Sequence, residues 1–322
     1  MHIIVTGGAG FIGQQLCDFL LKDPQVRVLC VDNLSTGSRL AVDELQRKHE
    51  GRFGFVNEDV EESGFPLFDA IGTFLDSSID RIFHLACPAS PIHYQANPIK
   101  TLLTSVVGTK NMLEIATNFN ARILFTSTSE IYGDPDIAIQ NESYRGRVNC
   151  TGPRACYDEG KRAGEALCFD YKRTRKTDVK VVRIFNTYGP KMRADDGRVV
   201  SNFITQALRG ENLTVYGDGT QTRSFCFVDD MILGLTKMME SFSDISGPIN
   251  LGNPNEMTVK ELAEIILQMT ESGSKIENID LPQDDPTRRK PDITLAKELL
   301  HWSPDTELRI GLTKTVDYFA SL

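Results

Sequence analysis

The sequence has few of the features that mark secreted, metal-binding or nucleic-acid-binding proteins. Its seven cysteines are odd in number and contain no C-x-x-C pair, and its five histidines lie away from them. A formal charge of −9 argues against a broad phosphate-binding surface. No apolar run approaches a membrane span, and the opening MHIIVTGGAGFIG lacks the basic start of a signal peptide. We therefore expect a cytoplasmic protein with reduced thiols, without a metal site, that binds neither nucleic acid nor membrane.

What the chain does have is a regular alternation of short apolar runs and helical segments. The 322 residues suffice for one large or two modest domains. Apolar, β-branched runs occupy residues 2–7, 26–32, 54–59, 81–86, 122–128 and 179–186. Continuous runs of this length are typical of strands buried on both faces. The pattern predicts the α/β class, with a doubly wound, Rossmann-like parallel sheet and a smaller C-terminal substrate-binding domain.

The character of the sequence changes after about Asn186, where loops rich in Gly, Asp and Arg appear. We interpret residues 1–186, with about 225–251, as a dinucleotide-binding domain. Residues 187–224 and 252–322 are then predicted to form the domain that binds the substrate.

A glycine-rich turn follows the first predicted strand. Gly7 permits a tight turn, Gly10 lets the backbone approach a pyrophosphate, and Gly13 allows close packing of helix on strand. The second strand ends in Asp32, whose carboxylate can accept hydrogen bonds from ribose hydroxyls and would repel a 2′-phosphate. A chance glycine turn is the alternative, but the acid in this position favours NAD over NADP.

Asp59 and Val60 follow the third predicted strand. They are plausible neighbours of the adenine, and a simple turn at the end of a strand is the alternative.

Tyr157 and Lys161 are four residues apart in a predicted helix whose first turn contains Pro153. An ammonium ~4 Å from a phenol contributes about 4 kcal/mol at an effective dielectric near 20. That is roughly three pK units before desolvation is subtracted. We therefore expect Lys161 to lower the pKa of Tyr157 and make it a general base. An exposed surface pair is the commoner meaning of this spacing alone.

The strand over residues 122–128 ends in Thr128, followed by Ser129 and Glu130. Ligands bind at the carboxyl ends of strands in open α/β sheets. Thr128 could hydrogen-bond a reacting hydroxyl. A turn with a capping role would explain the hydroxyls but not Glu130.

Eight segments together resemble the extended short-chain dehydrogenase/reductase family, and within it the enzymes that decarboxylate UDP-glucuronate. They are TGGAGFIG, HLACPASPIHY, TSTSEIYG, GPRACYDEGKR, RIFNTYGP, DGRVVSNFITQALRG, LTVYGDGTQTRSF and RRKPDI. The resemblance implies conversion of UDP-glucuronate to UDP-xylose. Oxidation at C4 by NAD, loss of CO2 from the 4-ketone and reduction by the retained NADH would follow in that order.

The same resemblance assigns roles to individual residues. The implied catalytic set is Thr128, Glu130, Tyr157, Lys161 and Arg289. The implied NAD-binding set is Gly7, Gly10, Phe11, Ile12, Gly13, Asp32, Asn33, Asp59, Val60, Leu85, Ala86, Tyr157, Lys161 and Thr187. The implied substrate-binding set is Tyr94, Ser129, Arg154, Asn186, Tyr216 and Arg223.

Composition alone would make Arg289 part of a solvated basic cluster with Arg288 and Lys290.

The family's 4,6-dehydratases carry Asp-Glu after the threonine, where this chain has Ser129, and its 4-epimerases lack the glutamate. Dehydratase and epimerase remain the alternative activities. A non-catalytic NAD-sensing scaffold is the alternative from another class, and would be expected to lack Tyr157, Lys161 or Glu130.

The predicted helices at about 98–118 and 155–174 suggest a homodimer. The first carries more apolar side chains than one core-facing stripe needs: Leu102, Leu103, Val106, Val107, Met112, Leu113 and Ile115. Pairing with a second copy would bury the excess, as in the family that the chain resembles.

Overall fold

The computed structural model describes residues 1–62, 65–281 and 288–322. Its strands are β1 (His2–Thr6), β2 (Arg27–Val31), β3 (Phe53–Val56), β4 (Arg81–His84), β5 (Arg122–Thr128), β6 (Val179–Ile184), β7 (Thr187–Tyr188), β8 (Leu213–Tyr216), β9 (Thr222–Ser224), β10 (Cys226–Phe227), β11 (Ile249–Leu251), β12 (Glu256–Thr258), β13 (Ile276–Ile279) and β14 (Arg288–Arg289).

The α-helices are α1 (Phe11–Leu20), α2 (Arg39–Lys48), α3 (Phe65–Phe74), α4 (Pro91–Ala96), α5 (Pro98–Leu103), α6 (Thr109–Asn118), α7 (Ala155–Arg175), α8 (Val199–Arg209), α9 (Val228–Glu240), α10 (Val259–Met269), α11 (Thr294–Leu300) and α12 (Leu308–Ala320). A π-helical turn, Thr104–Gly108, joins α5 to α6, and a 3-10 turn, Ser129–Tyr132, follows β5.

Seven of the strands form one parallel sheet in the order β11-β6-β5-β4-β1-β2-β3. The order reverses beside β1, which pairs with both β2 and β4. Parallel strands need crossover connections, and the intervening helices cover both faces of the sheet. The predicted fold class, a doubly wound α/β sheet, is confirmed.

Alternating side chains of each strand enter two separate cores. Ile3 and Val5 of β1 join the core that includes Leu16 of α1, whereas Ile4 joins the core that includes Met112 of α6. A sheet buried on both faces explains the uninterrupted apolar runs in the sequence.

The chain after β6 builds smaller sheets beside the main one. β12, β9 and β14 form a three-stranded sheet, β8 pairs with β13, and β7 pairs with β10. The strand β11 returns to the edge of the main sheet. These sheets bring residues 216, 223 and 289 toward the carboxyl ends of the main strands. The proposed division into two domains stays a prediction.

None of the helices in the described ranges combines the length and the apolar character needed to cross a bilayer. All seven cysteines are free thiols. Within the described part of the chain, no group of three or more His, Cys, Asp or Glu side chains is arranged to hold a metal ion.

Candidate active site

One cavity of about 770 Å³ lies at the carboxyl ends of the main strands. Its walls include each of the residues that the sequence assigned to catalysis, cofactor binding or substrate binding, from Gly7 to Arg289. Loops that follow β1 and β4 meet in it, where the order of the sheet reverses. This crevice is where open α/β sheets bind their ligands.

The glycine-rich turn forms one wall because larger residues would not fit there. Gly7 has φ +71°, a left-handed conformation that favours glycine. A Cβ on Gly13 would lie 2.0 Å from the carbonyl oxygen of Gly7. Gly10 is the N-cap of α1 and has no side chain to cover the first amides of the helix. The turn therefore presents the helix N-terminus to the cavity, which suits an anion such as a pyrophosphate.

Asp32 follows β2 and faces the same wall. Its carboxylate accepts hydrogen bonds from the amides of Leu34, at 2.8 Å, and Ala9, at 3.0 Å. Burial raises the pKa of Asp32, and these two amides oppose the rise. The carboxylate is thus fixed beside the glycine-rich turn, in the position that a ribose would need.

Asn33 and Asp59 complete this end of the cavity. The amide of Asn33 donates a hydrogen bond to Asp59, and the ammonium of Lys100 lies 3.0 Å from the second oxygen of Asp59. Lys100 also lies 2.6 Å from Glu61. Lys100 and Glu61 were not predicted from the sequence as site residues, although both line the cavity.

Tyr157 and Lys161 lie on one face of α7 and are both buried. The helix begins at Ala155, so the expectation that Pro153 lies in its first turn is wrong. The amide of Ala155 donates to the carbonyl of Gly152, and this preceding turn contains Pro153.

The expected lowering of the Tyr157 pKa is also wrong for the protein alone. Burial raises the pKa of Tyr157 well above its usual value, and a hydrogen bond with Thr128 opposes the rise. The ammonium of Lys161 donates to the carbonyl of Thr126 at 2.8 Å and lies 5.9 Å from the centre of the Tyr157 ring. Burial in turn lowers the pKa of Lys161. The four-residue spacing does bring the two side chains to one face of the helix, but desolvation of the phenol outweighs the effect of the Lys161 charge.

Tyr94 stacks on Tyr157, with ring centres 5.0 Å apart and planes only 2° from parallel. Its hydroxyl is buried and has no hydrogen-bond partner in the described part of the chain. The stacking fixes the plane of the Tyr157 ring and leaves a buried donor at the wall of the cavity.

At the other end of the cavity, Glu130 lies between two guanidinium groups. Its carboxylate is 3.2 Å from Arg154 and 3.2 Å from Arg289. Burial acts to raise the pKa of Glu130, but the charges of Arg289, Arg154 and Arg223 together hold it below its usual value. Glu130 is therefore an ionised group at neutral pH.

Arg289 is only 2% exposed, which excludes the solvated basic cluster that composition alone suggested. Nη1 donates to the carbonyls of Ser129, at 3.0 Å, and Gly133, at 2.8 Å. Nη2 is within ion-pair distance of Glu130 but is in hydrogen-bond geometry with no described partner. Its neighbour Arg288 is exposed and pairs with Glu256 at 3.2 Å. The two residues of β14 therefore differ in exposure, since Arg289 is buried and Arg288 lies at the surface.

The remaining predicted contacts come from the later part of the chain. Asn186 and Thr187 follow β6, Tyr216 ends β8, and Arg223 lies in β9. Arg198, which was not predicted, also lines the cavity. Its guanidinium pairs with Asp196 and lies 5.9 Å from the ring centre of Phe11. The only sequence signal for it was its place in the quoted segment DGRVVSNFITQALRG.

Known proteins match this chain along most of its length. Residues 3–252 match the model of the NAD dependent epimerase/dehydratase family. UDP-glucuronic acid decarboxylase 6 of Arabidopsis thaliana is 53% identical over 97% of this chain and 87% of that protein. UDP-glucuronic acid decarboxylase 1 of Xenopus tropicalis is 50% identical over 99% of this chain and 72% of that protein.

A solved structure with the same fold is UDP-glucuronic acid 4-epimerase from Bacillus cereus, in complex with UDP-glucuronic acid and NAD. It is 28% identical to this chain, with a TM-score of 0.87, and the match covers 100% of this chain and 99% of the epimerase.

Proposed function

This chain belongs to the NAD dependent epimerase/dehydratase family, and from that membership and the site we propose that it converts UDP-glucuronate to UDP-xylose and CO2. The relatives at 53% and 50% identity are named as decarboxylases of UDP-glucuronic acid. Homologues that are identical at half of the positions over nearly the whole of this chain are a strong guide to the substrate. The site must then explain how the carboxylate is held and released.

The observation that carries the proposal is the buried cluster of Glu130, Arg154 and Arg289. Arg289 has a buried Nη2 without a described hydrogen-bond partner, at the wall of the cavity. A buried donor that makes no hydrogen bond is costly, and an anionic ligand would supply the missing acceptor. We assign Arg289 to the substrate carboxylate. Glu130 beside it would repel that carboxylate, so the ground state is not over-stabilised and loss of CO2 is favoured.

The other end of the cavity fits NAD as the cofactor. Gly7, Gly10 and Gly13 open the helix N-terminus for the pyrophosphate, and Asp32 would take the adenosine ribose. The remaining residues assigned to NAD are Phe11, Ile12, Asn33, Asp59, Val60, Leu85, Ala86, Tyr157, Lys161 and Thr187, and all line the same cavity. Bound NAD would supply the acceptor, and later the donor, of the C4 hydrogen.

Thr128, Tyr157 and Lys161 would move the proton of the C4 hydroxyl. Tyr157 accepts it as general base, and Thr128 hydrogen-bonds the same oxygen. Lys161 has a single described hydrogen-bond partner, the Thr126 carbonyl, and therefore keeps donors for ribose hydroxyls. In the protein alone, burial holds the Tyr157 proton firmly. The positive charge brought by the cofactor ring would favour the phenolate and thus restrict base chemistry to the loaded site.

Once C4 is a ketone, the carboxylate on C5 lies β to a carbonyl. The C5–carboxylate bond breaks, and its electrons delocalise into the carbonyl when that bond is perpendicular to the carbonyl plane. Arg289 and Tyr94 would orient the carboxylate. Arg154, Ser129, Asn186, Tyr216 and Arg223 would hold the rest of the UDP-sugar, with Arg223 suited to the pyrophosphate.

The test is incubation of the purified protein with UDP-glucuronate and NAD, following CO2 and UDP-xylose together. Equal amounts of both are expected. The matched control is UDP-glucose, which has no carboxylate to lose and should give no CO2. Formation of the C4 epimer of UDP-glucuronate without CO2 would make the protein an epimerase like its structural neighbour. Absence of any sugar product, with NAD still bound, would support the scaffold alternative.

A further inference from the structure

The proposed reaction consumes one proton that the C4 chemistry does not supply. The substrate loses a carboxylate as neutral CO2, and C5 gains a hydrogen in its place. The proton that Tyr157 takes from the C4 hydroxyl returns to the same oxygen when the ketone is reduced. The C5 proton must therefore reach the site from solvent by another route.

Glu130 can touch the sugar but is poorly suited to hold that proton by itself. Arg289, Arg154 and Arg223 keep its pKa below the usual value. At neutral pH the carboxylate is ionised, and an acid that rarely carries a proton needs a donor behind it.

A second, smaller cavity of about 290 Å³ lies behind Glu130. Glu130, Arg154 and Arg289 line both cavities, so this ion cluster forms the wall between them. Asp158 lines the small cavity and is absent from the lining of the large one. A polar space of this size can hold several water molecules at ~30 Å³ each.

Asp158 follows Tyr157 in α7, and successive helical residues point about 100° apart. Tyr157 therefore faces the substrate cavity and Asp158 faces the small one. Asp158 is 6% exposed, and its Oδ1 has no hydrogen-bond partner among the described residues. Burial and repulsion by Glu130 raise the pKa of Asp158 to about 8, against the opposing charges of Arg154 and Arg289. The group is thus a neutral acid at pH 7, next to an ionised one.

We propose that Asp158 supplies, through Glu130, the proton that ends on C5, with the small cavity as its path from solvent. This inference rests on the proposed decarboxylation. The Asp158 O–H bond breaks as Glu130 gains the proton, directly or through water in the small cavity. Glu130 then protonates C5, whose electron pair comes from the enolate. Solvent returns one proton to Asp158, so each turnover takes up one proton and leaves both carboxyl groups as they began.

The charged and titratable groups that face Asp158 determine how it responds to pH. They are Glu130, Arg154, Tyr157, Glu159, Arg289, Tyr94, Cys156, Asp134 and Arg147. The relay works only while Asp158 is protonated. The rate of UDP-xylose formation should therefore fall as the pH rises through about 8.

The test compares Asp158→Asn with Asp170→Asn in single turnovers on UDP-glucuronate with bound NAD. In Asp158→Asn, NADH formation and CO2 release should stay near the wild-type rates, because they precede protonation. Formation of UDP-xylose, with the matching loss of NADH, should slow at least ~10-fold. The fall near pH 8 should disappear. Asp170→Asn removes a carboxylate of the same helix that pairs with Arg173 on the surface, and should change none of these rates.

Asp158→Glu keeps an acid at the same position and should recover much of the rate and the alkaline fall. If Asp158→Asn does not fold, Asp158→Glu still tests the relay, because a variant that keeps an acid at position 158 must also keep the fall in rate at alkaline pH. If Asp158→Asn forms UDP-xylose at the wild-type rate, or keeps the alkaline fall, the relay is wrong although the decarboxylase proposal stands. If the wild-type protein releases no CO2, the decarboxylase proposal fails first.

Discussion

The turn after β1 and the cluster around Glu130 lie at opposite ends of one cavity and consist of different chemical groups. The turn uses backbone amides, glycines and one carboxylate, all within residues 7–34. The cluster uses side-chain charges from positions 130, 154 and 289, brought together by three separate elements. The turn therefore offers mainly backbone groups to a ligand, whereas the cluster offers buried charged side chains.

This difference determines how each end should respond to substitution. Backbone amides remain when a side chain is changed, so single variants at the dinucleotide end should weaken binding by a limited amount. Buried charges depend on each other, and removal of one leaves its partners uncompensated. Substitutions in the cluster should therefore have larger effects than substitutions at the dinucleotide end.

The largest effect is expected for Tyr157→Phe, because Tyr157 is assigned both to catalysis and to NAD binding. The variant loses the single hydroxyl that exchanges a proton with C4, so turnover should be abolished while NAD binding remains nearly intact. UDP-xylose formation and NAD titration measure the two properties. Tyr171→Phe is the matched control on the same helix, since that hydroxyl bonds Glu114 away from the cavity. More than a tenth of wild-type activity in Tyr157→Phe would contradict its role as the base.

Glu130→Gln and Arg289→Ala should each lower CO2 release at least ~100-fold, the lower range for a positioned acid–base group. Both variants remove charge from the buried cluster, and NAD binding should survive in each. Thermal unfolding must be followed as well, because breaking a buried ion pair costs about 3–5 kcal/mol.

Arg288→Ala is the control for Arg289→Ala, since Arg288 is its exposed neighbour. It should leave CO2 release unchanged. Near-normal decarboxylation in a folded Arg289→Ala variant would return Arg289 to a structural role, in which it supports the carbonyls of Ser129 and Gly133.

A smaller effect is expected for Asp32→Ala at the dinucleotide end. Loss of a charged hydrogen-bond acceptor costs about 1.5–3 kcal/mol, or roughly 10- to 100-fold in NAD affinity. Discrimination against NADP should relax, because the repelling carboxylate is gone. Isothermal titration with both dinucleotides measures this, and Asp43→Ala on the exposed face of α2 is the control. An unchanged preference for NAD would remove Asp32 from the ribose contact.

The same contrast explains what the sequence could predict. The glycine-rich turn, Asp32 and the Tyr157–Lys161 pair are local patterns, and backbone geometry alone places them. The burial of Arg289 arises from the pairing of β14 with β9, which brings together residues 66 positions apart. Only the family resemblance pointed to it. The pKa of Tyr157 could not be predicted because burial is a property of the whole fold, and no local pattern in the sequence marked Asp158.

The smallest effect on catalysis is expected at the proposed dimer face. Of the apolar residues predicted to form it, Met112, Leu113 and Ile115 are buried within the protein itself. Leu102 and Leu103 of α5 stay exposed, as does Ile99. The face is therefore narrower than the sequence suggested, yet it lies next to α7, as an isologous helix bundle requires. We expect a dimeric mass by light scattering at micromolar concentration.

Leu103→Glu should shift the mass toward the monomer while activity per site changes less than about twofold, because the side chain does not line the cavity. Leu299→Glu is the matched control, since the two leucines are 44% and 43% exposed. A monomeric wild type would refute the dimer, and equal shifts in both variants would place the contact elsewhere.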